Sequence, residues 1–148
     1  MPLTPIMSDP RLRTRARTPL GLLMAARRII ATPRRWTTGA VWRDARGGCD
    51  VSPWEACSVC AVGAVRIAAH MADLPKALYD DNKVCREALS IFGEQTGDPG
   101  PFDARITLYN DSQSRARGVV RMFDKAIAAA RKAQASRRKR KQAKRRRG

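Results

Sequence analysis

The chain has 148 residues and a formal net charge of +17, with 30 Lys or Arg residues against 13 Asp or Glu residues. Its length allows one modest domain, and no stretch of it reaches the 18 or more apolar residues that a membrane-spanning helix needs. We therefore exclude a transmembrane protein class. We expect a single small domain in the cytoplasm, where cysteines stay reduced.

The positive charge is concentrated at the two ends of the chain. Residues 1–46 hold ten basic and two acidic residues, and residues 47–130 hold nine basic and eleven acidic residues. Residues 131–148 hold eleven basic residues and no acidic residue. A run of like charges repels itself and stays solvated unless a polyanion neutralises it, so RNA or DNA phosphates are the expected partner of the C-terminal run. The candidate nucleic-acid-binding residues are Arg131, Lys132, Arg137, Arg138, Lys139, Arg140, Lys141, Lys144, Arg145, Arg146 and Arg147.

The hydrophobic pattern predicts a mainly α protein, a small single-domain bundle of about four helices between two flexible basic arms. Residues 1–17 contain prolines and no periodicity, which indicates a flexible N-terminal arm. Residues 18–130 form the predicted helical domain, and residues 131–148 a disordered polybasic tail.

The first predicted helix begins at Thr18, which can cap it, and ends before Pro33. Its apolar stripe consists of Leu22, Leu23, Ala26, Ile29 and Ile30. Arg27 and Arg28 project from the other face, and together with Arg34 and Arg35 they extend the basic surface.

The second predicted helix begins at Ser52, because Ser52-Pro53-Trp54-Glu55 matches a capping box with proline at the first helical position. We expect it to continue to about Ala72, with Cys60, Gly63 and Ala64 forming a face of small side chains that a neighbouring helix can approach closely.

A third helix is predicted to follow Asp80-Asp81-Asn82 and to end at Phe92, with Gly93 as its stop. Residues 94–103, which include Pro99, are a loop by composition, and residues 104–109 are ambiguous. The last helix begins at about Ser114 and passes into the tail without a helix breaker, with Val119, Phe123, Ile127 and Ala130 as its apolar stripe.

Three motifs stand in order along the centre of the chain. They are Ile29-Ile30-Ala31-Thr32-Pro33-Arg34-Arg35-Trp36 with Gly39-Ala40 and Arg43-Asp44, then Cys60-Ala61-Val62-Gly63-Ala64, then Tyr109-Asn110-Asp111 with residues 119–130. Over about residues 20–130, this arrangement resembles a family of uncharacterised small domains common in actinobacteria and their bacteriophages. The resemblance implies a compact, mainly helical domain and no particular activity. The basic tail lies outside it.

According to this resemblance, the recurring positions are those of Trp36, Gly39, Cys60, Gly63, Ala64, Asn110 and Asp111. Trp36, Gly39, Cys60, Asn110 and Asp111 could line a pocket. Equally, Trp36 could fill the core, and Asn110 or Asp111 could cap a helix.

The cysteines allow three interpretations. Cys49, Cys57, Cys60 and Cys85 could form a zinc site, but only one Cys-x-x-Cys pair is present, in the first turns of the second predicted helix. A reactive thiol lacks a base, because His70, the only histidine, lies about 15 Å along that helix from Cys60. We therefore expect ordinary core or loop thiols, with no metal and no cofactor.

These observations lead to three functional hypotheses. The first is a non-enzymatic protein that binds RNA or DNA through its tail with little sequence specificity. The second is a protein-interaction module, for example a phage factor that docks on a host protein partner. The third is an enzyme with a pocket near Trp36, Cys60 and Asn110.

Overall fold

The computed structural model describes residues 3–79, 82–98 and 100–148. Met1, Pro2, Asp80, Asp81 and Pro99, which the sequence assigns to the N-terminal arm and to loops, lie outside the described residues. The elements are α1 (Pro19–Ala31), β1 (Trp42–Arg43), β2 (Ser58–Val59), α2 (Ala61–Met71), α3 (Lys83–Gln95), α4 (Phe102–Ser112) and α5 (Ala116–Arg147). The protein is therefore mainly helical, as predicted, but the described residues form five α-helices rather than about four.

Helix α1 is the central helix of the fold and contacts α2, α3 and α5. The Thr18 hydroxyl caps it by accepting a hydrogen bond from the Gly21 backbone N–H at 3.1 Å. Every residue of the predicted stripe is buried: Leu22, Leu23, Ala26, Ile29 and Ile30. The prediction for this helix is confirmed at both ends.

The predicted start of the second helix at Ser52 was wrong, because α2 begins at Ala61. The capping-box residues do interact, since the Glu55 carboxylate accepts a hydrogen bond from the Ser52 backbone N–H at 3.0 Å, but they open only a 3-10 turn, Pro53–Glu55. The backbone N–H groups of Cys57 and Val59 donate to the carbonyls of Arg43 and Arg35, both at 2.8 Å. Those long-range bonds replace the ones a helix would need.

Strand β2 instead pairs antiparallel with β1, with Trp42 opposite Val59. Val59 also bridges Trp36. This small sheet holds residues 35–43 against the N-terminus of α2, so it positions the motif residues that surround that helix end.

Gly63 does permit a close approach, but the partner is a loop and not the helix that we expected. A Cβ atom at Gly63 would lie 2.4 Å from the carbonyl oxygen of Val41. The same Val41 carbonyl accepts a hydrogen bond from the Cys60 backbone N–H at 2.9 Å. The absent side chain therefore lets the loop before β1 sit directly on the first turn of α2.

Helix α3 begins after Asn82, whose side chain accepts a hydrogen bond from the Cys85 backbone N–H at 3.1 Å. It does not stop at Gly93 but continues to Gln95. A Cβ atom at Gly93 would lie 2.8 Å from the Cβ atom of Phe102. The glycine thus makes room for the first residue of α4, a helix that occupies part of the predicted loop and the ambiguous segment.

Helix α5 confirms its predicted apolar stripe, because Val119, Phe123, Ile127 and Ala130 are buried. Its first half packs against α1 and α3. The helix then continues to Arg147, whereas the sequence predicts disorder for residues 131–148. Ala, Arg, Lys and Gln are all good helix formers, and the basic residues of the last turn interact favourably with the negative end of the helix dipole.

The N-terminal arm also differs from the prediction. Its described part contains two 3-10 turns, Ile6–Ser8 and Pro10–Leu12. Ile6 is fully buried and its backbone N–H donates to the carbonyl of Ala56 at 2.8 Å, and Leu12 is buried too. Single anchoring side chains of this kind leave no periodic signal in a sequence, which is why residues 3–17 read as a flexible arm.

Candidate functional site

Residues 131–147 of α5, which we name the C-terminal extension, carry the densest positive charge of the molecule. All eleven basic residues predicted to bind nucleic acid are exposed, and within the extension only Gln134 is partly covered. At 1.5 Å per residue the extension is about 25 Å long. Successive helical residues are rotated by about 100°, so the basic side chains project in all directions around the helix axis.

One ion pair links the C-terminal extension to the domain. Arg137 Nη2 donates to Glu87 Oε1 of α3 at 2.6 Å, and both side chains are partly exposed. Among the described residues, no ion pair involves the basic side chains beyond Arg137.

A groove between α1 and α5 continues the basic surface onto the domain. It encloses about 580 Å³ and is lined by Met24, Arg27, Arg28, Ala31, Thr32, Pro33, Asp124, Ile127 and Arg131. Arg27 is engaged by Asp124, with 2.6 Å between Nε and Oδ1. Arg28 and Arg131 are exposed, so two of the groove's cations are available beside the start of the C-terminal extension.

Arg35 does not extend the basic surface, contrary to the sequence interpretation. Its side chain is buried, with 1% exposure, and it donates to Asp9 Oδ2 at 3.2 Å, to the Cys57 carbonyl at 3.0 Å and to the Thr4 carbonyl. Hydrogen bonds from Arg11, the charge of Arg11 and a hydrogen bond from Arg35 together outweigh burial and lower the pKa of Asp9 to about 2. Arg35 therefore fastens the N-terminal arm to the domain.

The five residues of the predicted pocket come together, but four of them, Trp36, Gly39, Asn110 and Asp111, are hydrogen-bonded to one another. Asn110 is fully buried, and its Oδ1 accepts hydrogen bonds from Trp36 Nε1 at 2.9 Å and from the Ala61 backbone N–H at 3.1 Å. Its Nδ2 donates to the Thr37 carbonyl and to Asp111 Oδ1, both at 3.1 Å. The amide has thus reached its normal hydrogen-bonding capacity.

Asp111 and Cys60 complete the arrangement. Asp111 Oδ1 accepts a hydrogen bond from the Gly39 backbone N–H at 3.1 Å, where Gly39 has a φ of 72°, a conformation that glycine adopts readily. Cys60 is the N-cap of α2, and its Sγ accepts from the Gly63 N–H at 3.5 Å. We name Trp36, Gly39, Cys60, Asn110 and Asp111 the Asn110 cluster. Its hydrogen bonds hold together the loop before β1, the start of α2 and the end of α4.

Two of the four thiols, Cys57 and Cys60, lie in environments that disfavour the nucleophilic thiolate. Burial raises the pKa of Cys60, and it raises that of Cys57 as well. The Cys57 thiol donates a hydrogen bond to the Leu3 carbonyl at 3.3 Å. Cys49 is the exposed cysteine and Cys85 is buried, and none of the four is in a disulfide.

Metal ligation was the alternative for these cysteines. In the part of the chain that the structure describes, no three Cys, His, Asp or Glu side chains lie close enough together to hold a metal ion. Cys57 and Cys60 also flank β2 rather than lying in one helical turn, so the geometry assumed for the Cys-x-x-Cys pair was wrong.

A second groove contains residues that the sequence did not bring together, and we name it the arm groove. It encloses about 850 Å³ and is lined by Met7, Arg13, Thr14, Arg15, Arg17, Trp54, His70, Met71, Ala72 and Asp73. The Trp54 and His70 rings meet edge to face, with centroids 5.3 Å apart and planes at 80°. Only the alternating arginines of the arm hinted at this surface in the sequence.

Within the described ranges, no helix combines the length and apolar character that crossing a bilayer requires. No match was found among curated proteins or among solved structures. A model of a family of unknown function, DUF6197, matches residues 14–129. The match includes the whole Asn110 cluster and ends just before the C-terminal extension. Because this match covers more than half of the chain, the chain belongs to the DUF6197 family.

Proposed function

We propose that the protein binds RNA or DNA phosphates through its C-terminal extension, with little base specificity and without catalysing a reaction. The observation that supports this most is the presence of eleven exposed basic side chains on about 25 Å of helix. That is one positive charge for about every 2.3 Å, close to the one negative charge per about 1.7 Å of duplex DNA. Binding would release the counterions that both partners carry.

Low specificity is expected from the polar groups of the C-terminal extension. Besides Arg and Lys, the only side chains there that can pair with base edges are Gln134, Ser136 and Gln142. Lys and Arg spread around a helix make phosphate contacts, which give affinity and position without reading sequence.

The Asn110 cluster supports a structural role better than a catalytic one. The buried amide of Asn110 is engaged by Trp36, Thr37, Ala61 and Asp111, so no hydrogen-bonding group of that amide is left for a substrate. We therefore prefer a binding function for the protein over an enzymatic function at the Asn110 cluster.

The test is a salt titration of binding with charge-matched variants. In the tail variant, Arg138, Lys141, Lys144 and Arg145 are changed to Gln, which keeps helix propensity and removes charge. In the control variant, the exposed Arg46, Arg115, Arg117 and Arg121 are changed to Gln, so the net charge is equal.

If about six charges contact phosphates, the affinity of the wild type for a random duplex or an RNA falls about a thousandfold between about 50 and about 200 mM salt. The tail variant should bind much more weakly and with a shallower salt dependence than the control variant. Equal affinity of the two variants for both nucleic acids would refute the proposal.

A second candidate is a protein-interaction module, such as a phage factor that docks on a host protein. It is favoured by the family match, which ends at residue 129 and so describes a domain without the C-terminal extension. Leu108 on α4 is 64% exposed and Met24 on α1 is 42% exposed. A pull-down from nuclease-treated lysate that recovers the same protein with the wild type and the tail variant, but not after Leu108→Asp, would support this candidate.

A further inference from the structure

Among the described residues that line it, the arm groove has more positive than negative side chains. Arg13, Arg15 and Arg17 are exposed and alternate with the partly buried Thr14 and Ala16. All three arginines line the groove, and among the described residues none of them is in an ion pair. A single carboxylate, that of Asp73, also lines it. The groove therefore suits an anion.

Trp54 gives the arm groove an aromatic surface. Trp54 is the exposed tryptophan of the chain, with 55% of its surface accessible to solvent. The indole N–H groups of Trp36 and Trp42 are bound to Asn110 and to the Val51 carbonyl. The indole N–H of Trp54, in contrast, has no hydrogen-bond partner among the described residues.

The Trp54 ring has defined neighbours. The turn that carries it, Pro53–Glu55, is fixed by the hydrogen bond that the Ser52 backbone N–H donates to Glu55, and the Trp54 and His70 rings meet edge to face. An exposed aromatic ring beside exposed arginines is the combination with which single-strand-binding proteins stack a base and hold its phosphate.

We propose that the arm groove binds an unpaired nucleotide, with its base stacked on Trp54 and its phosphate held by Arg13, Arg15 and Arg17. The groove's volume of about 850 Å³ lies in the range of small-ligand sites, about 300–1,000 Å³. A base inside a duplex is stacked on its neighbours and cannot reach the ring, so the ligand is a single strand or a free nucleotide. The inference rests on the proposed function for its ligand class and adds a second, structurally separate site.

The experiment measures binding of three probes by the full chain: a short oligothymidylate, a random-sequence duplex with the same number of phosphates, and thymidine monophosphate. Trp54→Ala should weaken oligothymidylate binding by about fivefold or more, because stacking on an aromatic side chain contributes that much per base. Duplex binding should not change. Trp54→Phe should retain most of the affinity, since it keeps a ring, and Leu108→Ala serves as the control for loss of another exposed apolar side chain.

Charge variants test the phosphate contacts. Arg13→Gln with Arg15→Gln should weaken oligothymidylate binding more than Arg115→Gln with Arg121→Gln, which removes the same charge outside the groove. Asp73→Asn should strengthen it, because a carboxylate that repels the phosphate is lost. Asn is also suited to the φ of 59° at this position. This gain of affinity does not depend on whether the Trp54 variants fold.

The outcomes separate this inference from the proposed function. The tail variant should weaken binding of the duplex and of the oligothymidylate, whereas Trp54→Ala should weaken only the latter. An effect of Trp54→Ala without an effect of the tail variant would overturn the proposed function and support the arm groove. Unchanged oligothymidylate affinity in both Trp54→Ala and Asp73→Asn would overturn nucleotide binding in the arm groove and leave the proposed function standing. Thymidine monophosphate binding as tight as that of the oligothymidylate would identify a free nucleotide as the ligand.

Discussion

The indole Nε1 of Trp36 donates a hydrogen bond to Oδ1 of Asn110 at 2.9 Å, across 74 positions of the chain. Asn110 has no solvent exposure, and the same oxygen accepts from the backbone of Ala61. One amide therefore joins the loop before β1, the start of α2 and the end of α4. These side-chain bonds add to the backbone bonds between the loop and the start of α2, and they link residues far apart in sequence into one structural motif.

Removing the Asn110 amide should destabilise the domain. Asn110→Ala leaves the N–H groups of Trp36 and Ala61 without a partner, and an unsatisfied buried polar group costs about 1–3 kcal/mol. We expect the free energy of unfolding to fall by at least about 2 kcal/mol in denaturant titrations. Ser112→Ala, which removes an exposed hydroxyl from the same helix end, is the control. Equal stability of the Asn110 variant and the wild type would show that the hydrogen bonds of the cluster do not stabilise the domain.

Gly63→Ala should also destabilise, since its Cβ atom would lie 2.4 Å from the Val41 carbonyl oxygen. The backbone of Val41 cannot move away without breaking its bond to Cys60, and overpacking of this kind typically costs about 1–3 kcal/mol. The measurement is the thermal midpoint. Gly118→Ala is the matched helical control, because the atoms it would meet belong to the flexible side chain of Gln113. A Gly63 variant that melts no earlier than the Gly118 variant would contradict the close approach.

Local signals made α1 and α5 predictable from the sequence. Thr18 caps α1 through its own side chain, and the buried stripe of α5 follows the helical period. The start of α2 was not predictable, because Cys57 and Val59 are held by backbone groups of distant residues. Helix α4 buries only Ile106 and Asn110, which leaves no apolar stripe to recognise.

The candidate sites divide in the same way. The C-terminal extension was evident from composition alone, although the like charges suggested disorder where the structure has a helix. The residues of the Asn110 cluster were identified, but their mutual bonds were not, because Thr37 and Ala61 take part through backbone atoms that carry no sequence signal. The arm groove joins a 3-10 turn to the end of α2, and no local pattern indicates that contact.

Acid should weaken the attachment of the N-terminal arm. The pKa of Asp9 is lowered from 3.8 to about 2 in the folded protein, so its stabilising effect is complete above about pH 4 and is lost as the pH falls through about 2. Asp9→Asn should lower stability at neutral pH and reduce the loss of stability between about pH 4 and pH 2. Urea titrations at several pH values measure both effects, with the exposed Asp98→Asn as control. Parallel pH profiles for Asp9→Asn and the wild type would contradict the role of the Asp9 carboxylate.

The cysteines should differ in their rates of labelling by a thiol reagent. Cys49 is exposed, whereas Cys57, Cys60 and Cys85 are buried, and burial also raises the pKa of Cys57 and of Cys60. We expect one fast thiol and three slow ones in the native protein, and four fast thiols in denaturant. Cys49→Ser should remove the fast phase. A fast phase that survives this substitution would mean that one of the other three is accessible and reactive.

Glu87 should compete with nucleic acid for Arg137, because the two side chains are 2.6 Å apart. Glu87→Gln frees the guanidinium for a phosphate, so affinity should rise and the plot of log K against log salt should steepen by about 0.9, the value for one contact. Glu94→Gln changes the same charge at an exposed position of the same helix and controls for the general loss of repulsion. Stability should change little in either variant, since an exposed ion pair contributes about 0–1 kcal/mol. If the two variants show the same salt dependence, Arg137 does not contact phosphate in the complex.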